Sequence, residues 1–564
     1  MGLSALAHDP AAALLGEKGI EAAIEESKLA RSRSISGIPR AAIHYCLERA
    51  RIGWQDIGYV AIASRPLRVW LRQAWLRARL TPFAPVASGY YQTKALGDLG
   101  RELNNDRILR SLQKDSRCRF VGLEHHLCHA ASAYYASSFD RALVLTLDEQ
   151  GDGWAGSVAL GEGNRIRVLR SIPFPHSLGW VYSQVTDLLG FQPHQDEHKT
   201  QWLSLEGEPA FAKVLLEMLR RRPGPMPRLD GGYLNRGLAG RIAFSPKFYR
   251  RLGAPSADTA ELGETLRRQL ASSLQQACAV VAAELAEWFR GQTGARALCL
   301  AGGLFLNPLL VAAVEKNTGF EEVFVQPAAG NEGTALGAAW LVWHQLLGRP
   351  RLEPMASLYW GPSYSNQEVK QVLDNCKSQY RWQNSEEEKI DETLRLLEAG
   401  KIIAWYQGAA EFGPRALGNR SLLASPWAPY VKENLNEYVK HREPFRPFAI
   451  SVPEEDCASH FDCSSIGRFM ATMGRVRPAA RSLLEGFLLP GDLVRLHVVE
   501  RQANPLFWRL LKRFGERARA PLLVNTSFNL FGEPLVISPR DAVRSFFCSG
   551  IDALVIGDFL LNKA

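Results

Sequence analysis

At the start of the chain, apolar positions fall into short runs broken by polar turns. Residues 3–7 and 11–15 read as two strands with His8 and Asp9 in the turn between them, and residues 20–24 as a third strand. A helical period follows over 39–51 and a further strand over 57–63. Residues 124–133, Glu124-His125-His126-Leu127-Cys128-His129-Ala130-Ala131-Ser132-Ala133, lack Gly and Pro and read as a helix that another element packs against closely. The apolar run 142–147 reads as a buried strand ending at Asp148, ahead of a Gly-rich turn through Gly151 and Gly153. Strand patterns recur over 157–160 and 166–172, and Ser177 opens a helix to 189. Residues 222–254, rich in Gly, Pro and Arg, read as an irregular excursion, and 259–289 as a long helical stretch broken near Leu270.

Short strands over 297–300 and 323–325 run into glycine turns at Gly302-Gly303 and Gly330 to Gly333, and a helix covers 334–347. With the turn after Asp148, these recurring strand-to-glycine turns predict an α/β chain with a duplicated nucleotide-binding fold. Three prolines and two glycines within 348–365 mark a linker, which places one domain at 1–352 and a second at 366–564. Helices over 366–376 and 385–398 and a strand over 401–406 open the second domain. Near its end, a strand over 521–524 leads into Asn525-Thr526-Ser527-Phe528-Asn529.

Composition narrows the class. With 46% hydrophobic and 22% charged residues among 564, the chain is an ordinary globular protein long enough for two or three cores. No run approaches the roughly 18 apolar residues of a membrane span. Asp9 and the lack of a basic opening argue against secretion. Nine cysteines, an odd number without a Cys-x-x-Cys pair, suit reduced thiols in a cytoplasm. The net charge of +9 predicts anionic partners: phosphorylated small molecules, nucleic acid or an acidic membrane surface. Basic runs at Arg65, Arg68, Arg72, Arg77 and Arg79, at Arg220-Arg221-Arg222, and from Arg509 to Arg519 read as solvated helix faces.

Two stretches carry candidate chemistry. On a helix, His125 and His129 stand one turn apart on the same side, a spacing suited to two imidazoles on one divalent metal, with Asp148 as a third ligand. The pair His126 and His129 competes with it, and hydrogen-bonded core histidines are the plain alternative. The second stretch is Glu411-Phe412-Gly413-Pro414-Arg415-Ala416-Leu417-Gly418-Asn419-Arg420-Ser421, followed by Lys440-His441-Arg442-Glu443-Pro444-Phe445-Arg446-Pro447-Phe448. Five cations amid Pro, Gly and Phe, with no helical period, predict a held anion site for phosphate or carboxylate.

Together with Ala301-Gly302-Gly303 and Asn525 to Asn529, these motifs closely resemble the O-carbamoyltransferases, the family of nodulation-factor (NodU-type) and antibiotic-tailoring (CmcH-type) enzymes. The resemblance covers nearly the whole chain, in order. It implies a duplicated actin/sugar-kinase-like (ASKHA-type) first domain and a YrdC-like α/β second domain. It also implies a cytoplasmic, ATP-dependent enzyme that makes carbamoyl-adenylate from carbamoyl phosphate and ATP. The carbamoyl group then passes to a hydroxyl of a small-molecule acceptor, a sugar or natural product. Neither a nucleic-acid partner nor a membrane span is implied.

By the same resemblance, Arg415, Arg420, Lys440, Arg446 and Arg495 hold phosphate groups, and Ser421, Asn525, Ser527 and Asn529 orient the carbamoyl group. Gly302, Gly303 and Asn307 form a nucleotide loop, and His8 is the general base for the acceptor hydroxyl. His125, His129 and Asp148 hold a divalent metal, with iron(II) implied and zinc or manganese also suited, and Mg2+ accompanies ATP. The chain departs from the family at Asn331, where an Asp ligand is usual; either Glu332 or Asp152 compensates or the metal binds weakly. It departs again over Trp202 to Glu206, where a Gly-Leu-Ala-Pro-Tyr type segment makes nucleotide contacts. Competing readings are a fused tRNA threonylcarbamoyladenosine-type synthase and a non-catalytic nucleotide-binding protein.

Overall fold

The computed structural model describes residues 1–5, 8–64, 118–220, 224–236, 242–254 and 262–563. The basic run from Arg65 to Arg79, with Arg221 and Arg222, lies outside the described residues. The chain divides into two compact units, Met1–Glu21 with Ser36–Pro354 and Ala22–Ile35 with Met355–Ala564. No linker signal marks the placement of Ala22–Ile35 in the second unit.

The first unit contains two five-stranded sheets. One is built from β1 (Gly2–Ser4), β2 (Ala11–Gly16), β3 (Gly19–Glu25), β4 (Tyr59–Ile62) and β5 (Arg119–Gly122), in the order β3-β2-β1-β4-β5. After β6 (Arg141–Gly151), β7 (Trp154–Glu162) and β8 (Arg165–Pro173) comes a separate hairpin of β9 (Leu234–Arg236) and β10 (Ile242–Phe244). The second sheet adds β11 (Ala297–Ala301) and β12 (Glu322–Val325), in the order β8-β7-β6-β11-β12. In each sheet the central strand pairs antiparallel with its successor and parallel with a strand from much later in the chain. One topology therefore occurs twice.

Three local expectations change. β6 does not end at Asp148; it continues to Gly151, with a register irregularity between Leu147 and Gly151, so the glycines close a hairpin rather than a phosphate turn. Such an irregularity re-aims the side chain beside it. The helix Glu264–Thr293 runs 30 residues without a break, because Leu270, Leu274, Ala277, Val281 and Leu285 keep one buried stripe. The excursion over 222–254 holds the β9–β10 hairpin and the helix Pro246–Leu252, elements too short to leave a period in the sequence.

The histidine helix, His125–Tyr134, packs against Gly333–Leu341, whose residues are all buried. The contact is backbone to backbone: a Cβ on Gly337 would stand 1.8 Å from the Cys128 carbonyl oxygen.

The second unit carries one mixed sheet of ten strands. These are β13 (Arg381–Trp382), β14 (Ile403–Tyr406), β15 (Arg420–Ala424), β16 (Ala449–Pro453), β17 (Phe461–Asp462), β18 (Met473–Val476), β19 (Leu493–Val499), β20 (Leu523–Ser527), β21 (Ala553–Ile556) and β22 (Phe559–Asn562). Their order is β13-β22-β21-β14-β15-β20-β16-β19-β18-β17. Period two puts Ile403, Trp405 and Val555 in a core with Phe507 and Leu510, and Ala404, Tyr406 and Ile556 in another with Leu373 and Phe546. Both faces are covered, so the central strands read as unbroken apolar runs.

The basic run over 509–517 is not a freely solvated face. Arg509 pairs with Glu386 at 2.6 Å, Lys512 with Asp456 at 2.8 Å, and Arg513 and Arg517 with Asp391 at 3.0 and 2.6 Å. No helix of the described residues is long and apolar enough to cross a membrane.

Replacing Gly337 with Ala forces the two helices apart. We expect overpacking to cost about 2–3 kcal/mol, read as a lowered thermal midpoint by calorimetry; an unchanged midpoint would show that the helices can separate without penalty.

Candidate active site

Helix periodicity and the β6 irregularity bring three donors together. His125 Nε2 and His129 Nε2 each lie 3.2 Å from Asp148 Oδ2 and 3.0 Å from each other. Ligand atoms about 2.1 Å from one ion stand about 3.0–3.4 Å apart in octahedral or tetrahedral arrangement, so this spacing fits a single cation. All three residues are buried. Burial favours neutral Asp148, but its hydrogen bonds to both imidazoles hold its pKa well below the usual carboxylate range. Burial likewise opposes charge on His125, yet Asp148 raises its pKa, whereas burial lowers that of His129.

His126 does not compete for the ion. Its Nε2 faces the Trp154 carbonyl at 3.0 Å and its Nδ1 the Thr146 hydroxyl at 3.3 Å, and burial pushes its pKa down to about 3. It is a satisfied core histidine. Asp152 is not a substitute ligand either: its Oδ2 accepts from the His125 backbone N–H at 2.9 Å, at the start of the histidine helix. Glu332 is buried but is not grouped with the three donors.

Asn331 is 5% exposed, and its Oδ1 has no hydrogen-bond partner, nor has His129 Nδ1. The Asn331 side chain acts on His129, favouring its protonated form. A buried oxygen without a partner beside the His129 imidazole would fit a fourth donor to a cation held there. The Asn331 Nδ2 reaches the His8 ring at 3.2 Å. His8 Nδ1 in turn sits 2.7 Å from Asp9 Oδ2, although 57% of the side chain is open to solvent. Desolvation opposes its charge, but Asp9, Asp148 and Glu149 outweigh it and lift the pKa to about 9. At neutral pH His8 is therefore a hydrogen-bond donor, and it becomes a base only as pH rises towards that value.

The glycine pair serves β6. A Cβ on Gly302, whose φ is +98°, would fall 2.2 Å from the Leu147 carbonyl oxygen, and one on Gly303 would fall 3.0 Å from Asp148 Oδ1. The missing side chains thus make room for the Asp148 strand. Asn307 is turned away from ligand duty: it caps the helix Pro308–Asn317 by accepting from Leu310 N, and donates to Gln275 at 2.8 Å.

In the second unit the motif loop folds around its own charges. Glu411 is 0% exposed, and its Oε1 accepts from the backbone N–H groups of Leu417, Asn419 and Arg420 at 2.8, 2.9 and 3.2 Å. Lys28 donates to the carbonyls of Glu411 and Gly413 at 2.6 and 2.7 Å and pairs with Glu25 at 2.9 Å. Glu25 also accepts from Gly413 N at 2.7 Å, while burial pushes its pKa up.

This geometry corrects several assignments. Arg420 is fully buried; it donates to the carbonyls of Gln407, Asn419, Pro362 and Gly408 and lies 3.6 Å over the Tyr406 ring. These bonds tie the loop together. Lys440 ends the π-helical turn Leu435–Lys440, so the stretch is not free of helix. Its buried Nζ donates to both the Ser527 and Asn529 carbonyls and, at 2.8 Å, to Asn529 Oδ1. Burial lowers its pKa far below that of a free lysine. Ser421 accepts from Gly418 N at 3.1 Å inside the same loop. Ser527 donates to Asn529 Oδ1 at 2.8 Å, and Asn529 Nδ2 to the Glu533 carbonyl at 2.8 Å.

Four guanidiniums remain as a group: Arg415, Arg446, Arg495 and Arg442, the last being one of the five cations of the predicted anion site though not among the phosphate-holding residues that the resemblance implies. Burial, then the charges of Arg415, Arg442 and Arg446, lower the pKa of Arg495. Burial and Arg446 lower that of Arg442 to about 9. Burial is the larger cause and repulsion among the guanidiniums the second; because arginine keeps its charge in proteins, that repulsion is one a bound polyanion would relieve. Ser451 and His497, which hold Asn525 at 3.1 and 3.2 Å, were missed. The available signal was Arg495 and His497 recurring at period two in the otherwise apolar β19.

The chain is similar to known proteins along most of its length. The family described as Carbamoyltransferase N-terminus matches residues 1–340, and Carbamoyltransferase C-terminus matches 394–563. An uncharacterized Synechocystis protein is 32% identical over 100% of this chain and 96% of its own length. Nodulation protein NolNO of Sinorhizobium fredii is 33% identical over 99% of this chain and 79% of its own. The 3'-hydroxymethylcephem-O-carbamoyltransferase of Amycolatopsis lactamdurans is 33% identical over 47% of this chain and 49% of its own.

An amide oxygen is a weaker ligand than a carboxylate, so Asn331→Asp should raise metal occupancy without changing the fold. In both proteins protons compete for the imidazoles, and occupancy should fall as pH drops. Elemental analysis of the two, purified side by side without chelator, checks this. Equal occupancy would exclude Asn331 from the coordination sphere.

Proposed function

The chain belongs to the carbamoyltransferase family, and we propose that it is an ATP-dependent O-carbamoyltransferase acting on a hydroxyl of a small-molecule acceptor. The observation that carries this reading is the cluster of Arg415, Arg442, Arg446 and Arg495, whose mutual repulsion suits a polyanion such as a phosphorylated substrate. In this reading the second unit, YrdC-like, hydrolyses carbamoyl phosphate to carbamate and inorganic phosphate, and a carbamate oxygen then attacks the α-phosphate of ATP. Pyrophosphate leaves and carbamoyl-adenylate forms. The four arginines neutralise charge on the transferring phosphoryl groups.

The first unit then transfers the group: the acceptor oxygen bonds to the carbamoyl carbon, and AMP departs. The repeated sheet topology supports an actin/sugar-kinase-like reading of this unit. His125, His129 and Asp148, with Asn331 beside them, would hold a divalent cation that, when bound, supplies Lewis-acid polarisation of an oxygen. His8, anchored by Asp9, takes the proton of the acceptor hydroxyl once it is itself deprotonated.

Two tests follow from these roles. Arg415→Ala should cut carbamoyl-phosphate-dependent pyrophosphate release about a hundredfold with an unchanged melting midpoint. By contrast, Arg420→Ala should lose at least about 3 kcal/mol of stability, because buried carbonyls lose their donor. The reverse pattern would exchange the two roles. For His8, carbamate-ester formation should rise with pH through about 9. His8→Gln should lose that rise while still releasing pyrophosphate. A flat profile in the wild type would remove His8 as the base.

A further inference from the structure

Asn525 lies 1% exposed in β20, and its Oδ1 has no hydrogen-bond partner. Its Nδ2, by contrast, meets three acceptors: Ser451 Oγ at 3.1 Å, His497 Nδ1 at 3.2 Å and the Ala416 carbonyl at 3.4 Å. Ser451 Oγ itself stands 2.9 Å from His497 Nδ1. One assignment uses every proton once. A neutral His497 carries its proton on Nε2 and its single Nδ1 lone pair accepts from the serine hydroxyl, so that the two amide protons of Asn525 go to Ser451 Oγ and the Ala416 carbonyl. Burial favours this neutral form, pushing the His497 pKa down to about 3.

The opposite amide orientation would set Oδ1 against the Ala416 carbonyl and the Nδ1 lone pair, acceptor facing acceptor. His497, by taking the serine proton, leaves Ser451 Oγ to accept from the amide and with the more distant Ala416 carbonyl sets this orientation, which leaves Oδ1 as an acceptor without a partner. Asn525 and Arg495 both pair with Ala449, on opposite sides of it, and so share one row and one face of the sheet. Ala416 directly follows Arg415. The acceptor thus belongs to the neighbourhood of the arginine cluster.

We propose that Ser451 and His497 are positioning residues that hold the Asn525 oxygen as an acceptor for the N–H of a carbamoyl group, so that the site selects carbamoyl over acetyl phosphate. The inference rests on the carbamoyl phosphate reading above and adds the element that discriminates. An acetyl group is nearly isosteric but has no N–H, and would leave the buried oxygen unpaired.

Calorimetric titration of the full chain with carbamoyl phosphate, acetyl phosphate and inorganic phosphate tests it. The wild type should prefer carbamoyl over acetyl phosphate by about tenfold or more. In His497→Leu the amide can turn, and the preference should fall towards unity while inorganic phosphate binds as before. His497→Asn, whose side-chain oxygen can stand where Nδ1 stood, should restore it. A merely structural role would weaken all three ligands together and would not be rescued by Asn. Should His497→Leu fail to fold, His497→Gln, polar and close in size but without an acceptor at that point, replaces it. A wild-type preference retained in these variants overturns the inference alone. A wild type that binds inorganic phosphate but not carbamoyl phosphate overturns the functional reading as well.

Discussion

A carboxylate as deeply buried as that of Glu411 is tolerated only when N–H donors meet it, and the motif loop of the second unit is shaped by that need, with all of the donors on Oε1 and none on Oε2. Three backbone N–H groups, from Leu417, Asn419 and Arg420, converge on one oxygen. Curling the backbone towards Glu411 turns carbonyls inward as well, and Arg420 and Lys28 answer them. Pro414 is exposed and Arg415 only half-buried. The loop thus separates charges that build the fold from a charge that can meet a ligand.

The same logic operates around Asp148 in the first unit. Its Oδ1 accepts from Glu149 N at 2.8 Å, which leaves Oδ2 for the two imidazoles. The site is packed into place by close backbone approach. A Cβ on Gly179 would lie 2.7 Å from the Asp148 carbonyl oxygen, and one on Gly151 only 2.0 Å from the His125 ring. Small residues here are a condition for the donors to converge, and they link helix packing directly to the geometry of the candidate metal site.

Legibility differed by type of residue. The i, i+4 pair of His125 and His129 was readable because helix periodicity alone puts both on one side. Asp148 was readable as a polar end to an apolar run, but not the strand irregularity that aims it. The cationic stretch was readable as a site of charge. Its division was not: Arg420 and Lys440 are chemically equal to Arg415 and Arg446 in sequence, yet face carbonyls supplied by Gln407, Pro362, Ser527 and Asn529. Ser451 and His497 carried no signal of their own, since their meaning lies in a third strand.

By itself, the sequence determined the types of most elements, the α/β class, the motif set of the family and the pairing of two histidines, because each depends on periodicity or on contiguous residues. Tertiary structure alone decided that Ala22–Ile35 belongs with the second unit, that the long helix is unbroken, and which cations turn inward. It also decided which way the Asn525 amide faces. The physical reason is common to these. A buried polar group takes the orientation that satisfies its partners, and those partners come from segments tens to hundreds of residues away, as Lys28 and Glu411 do.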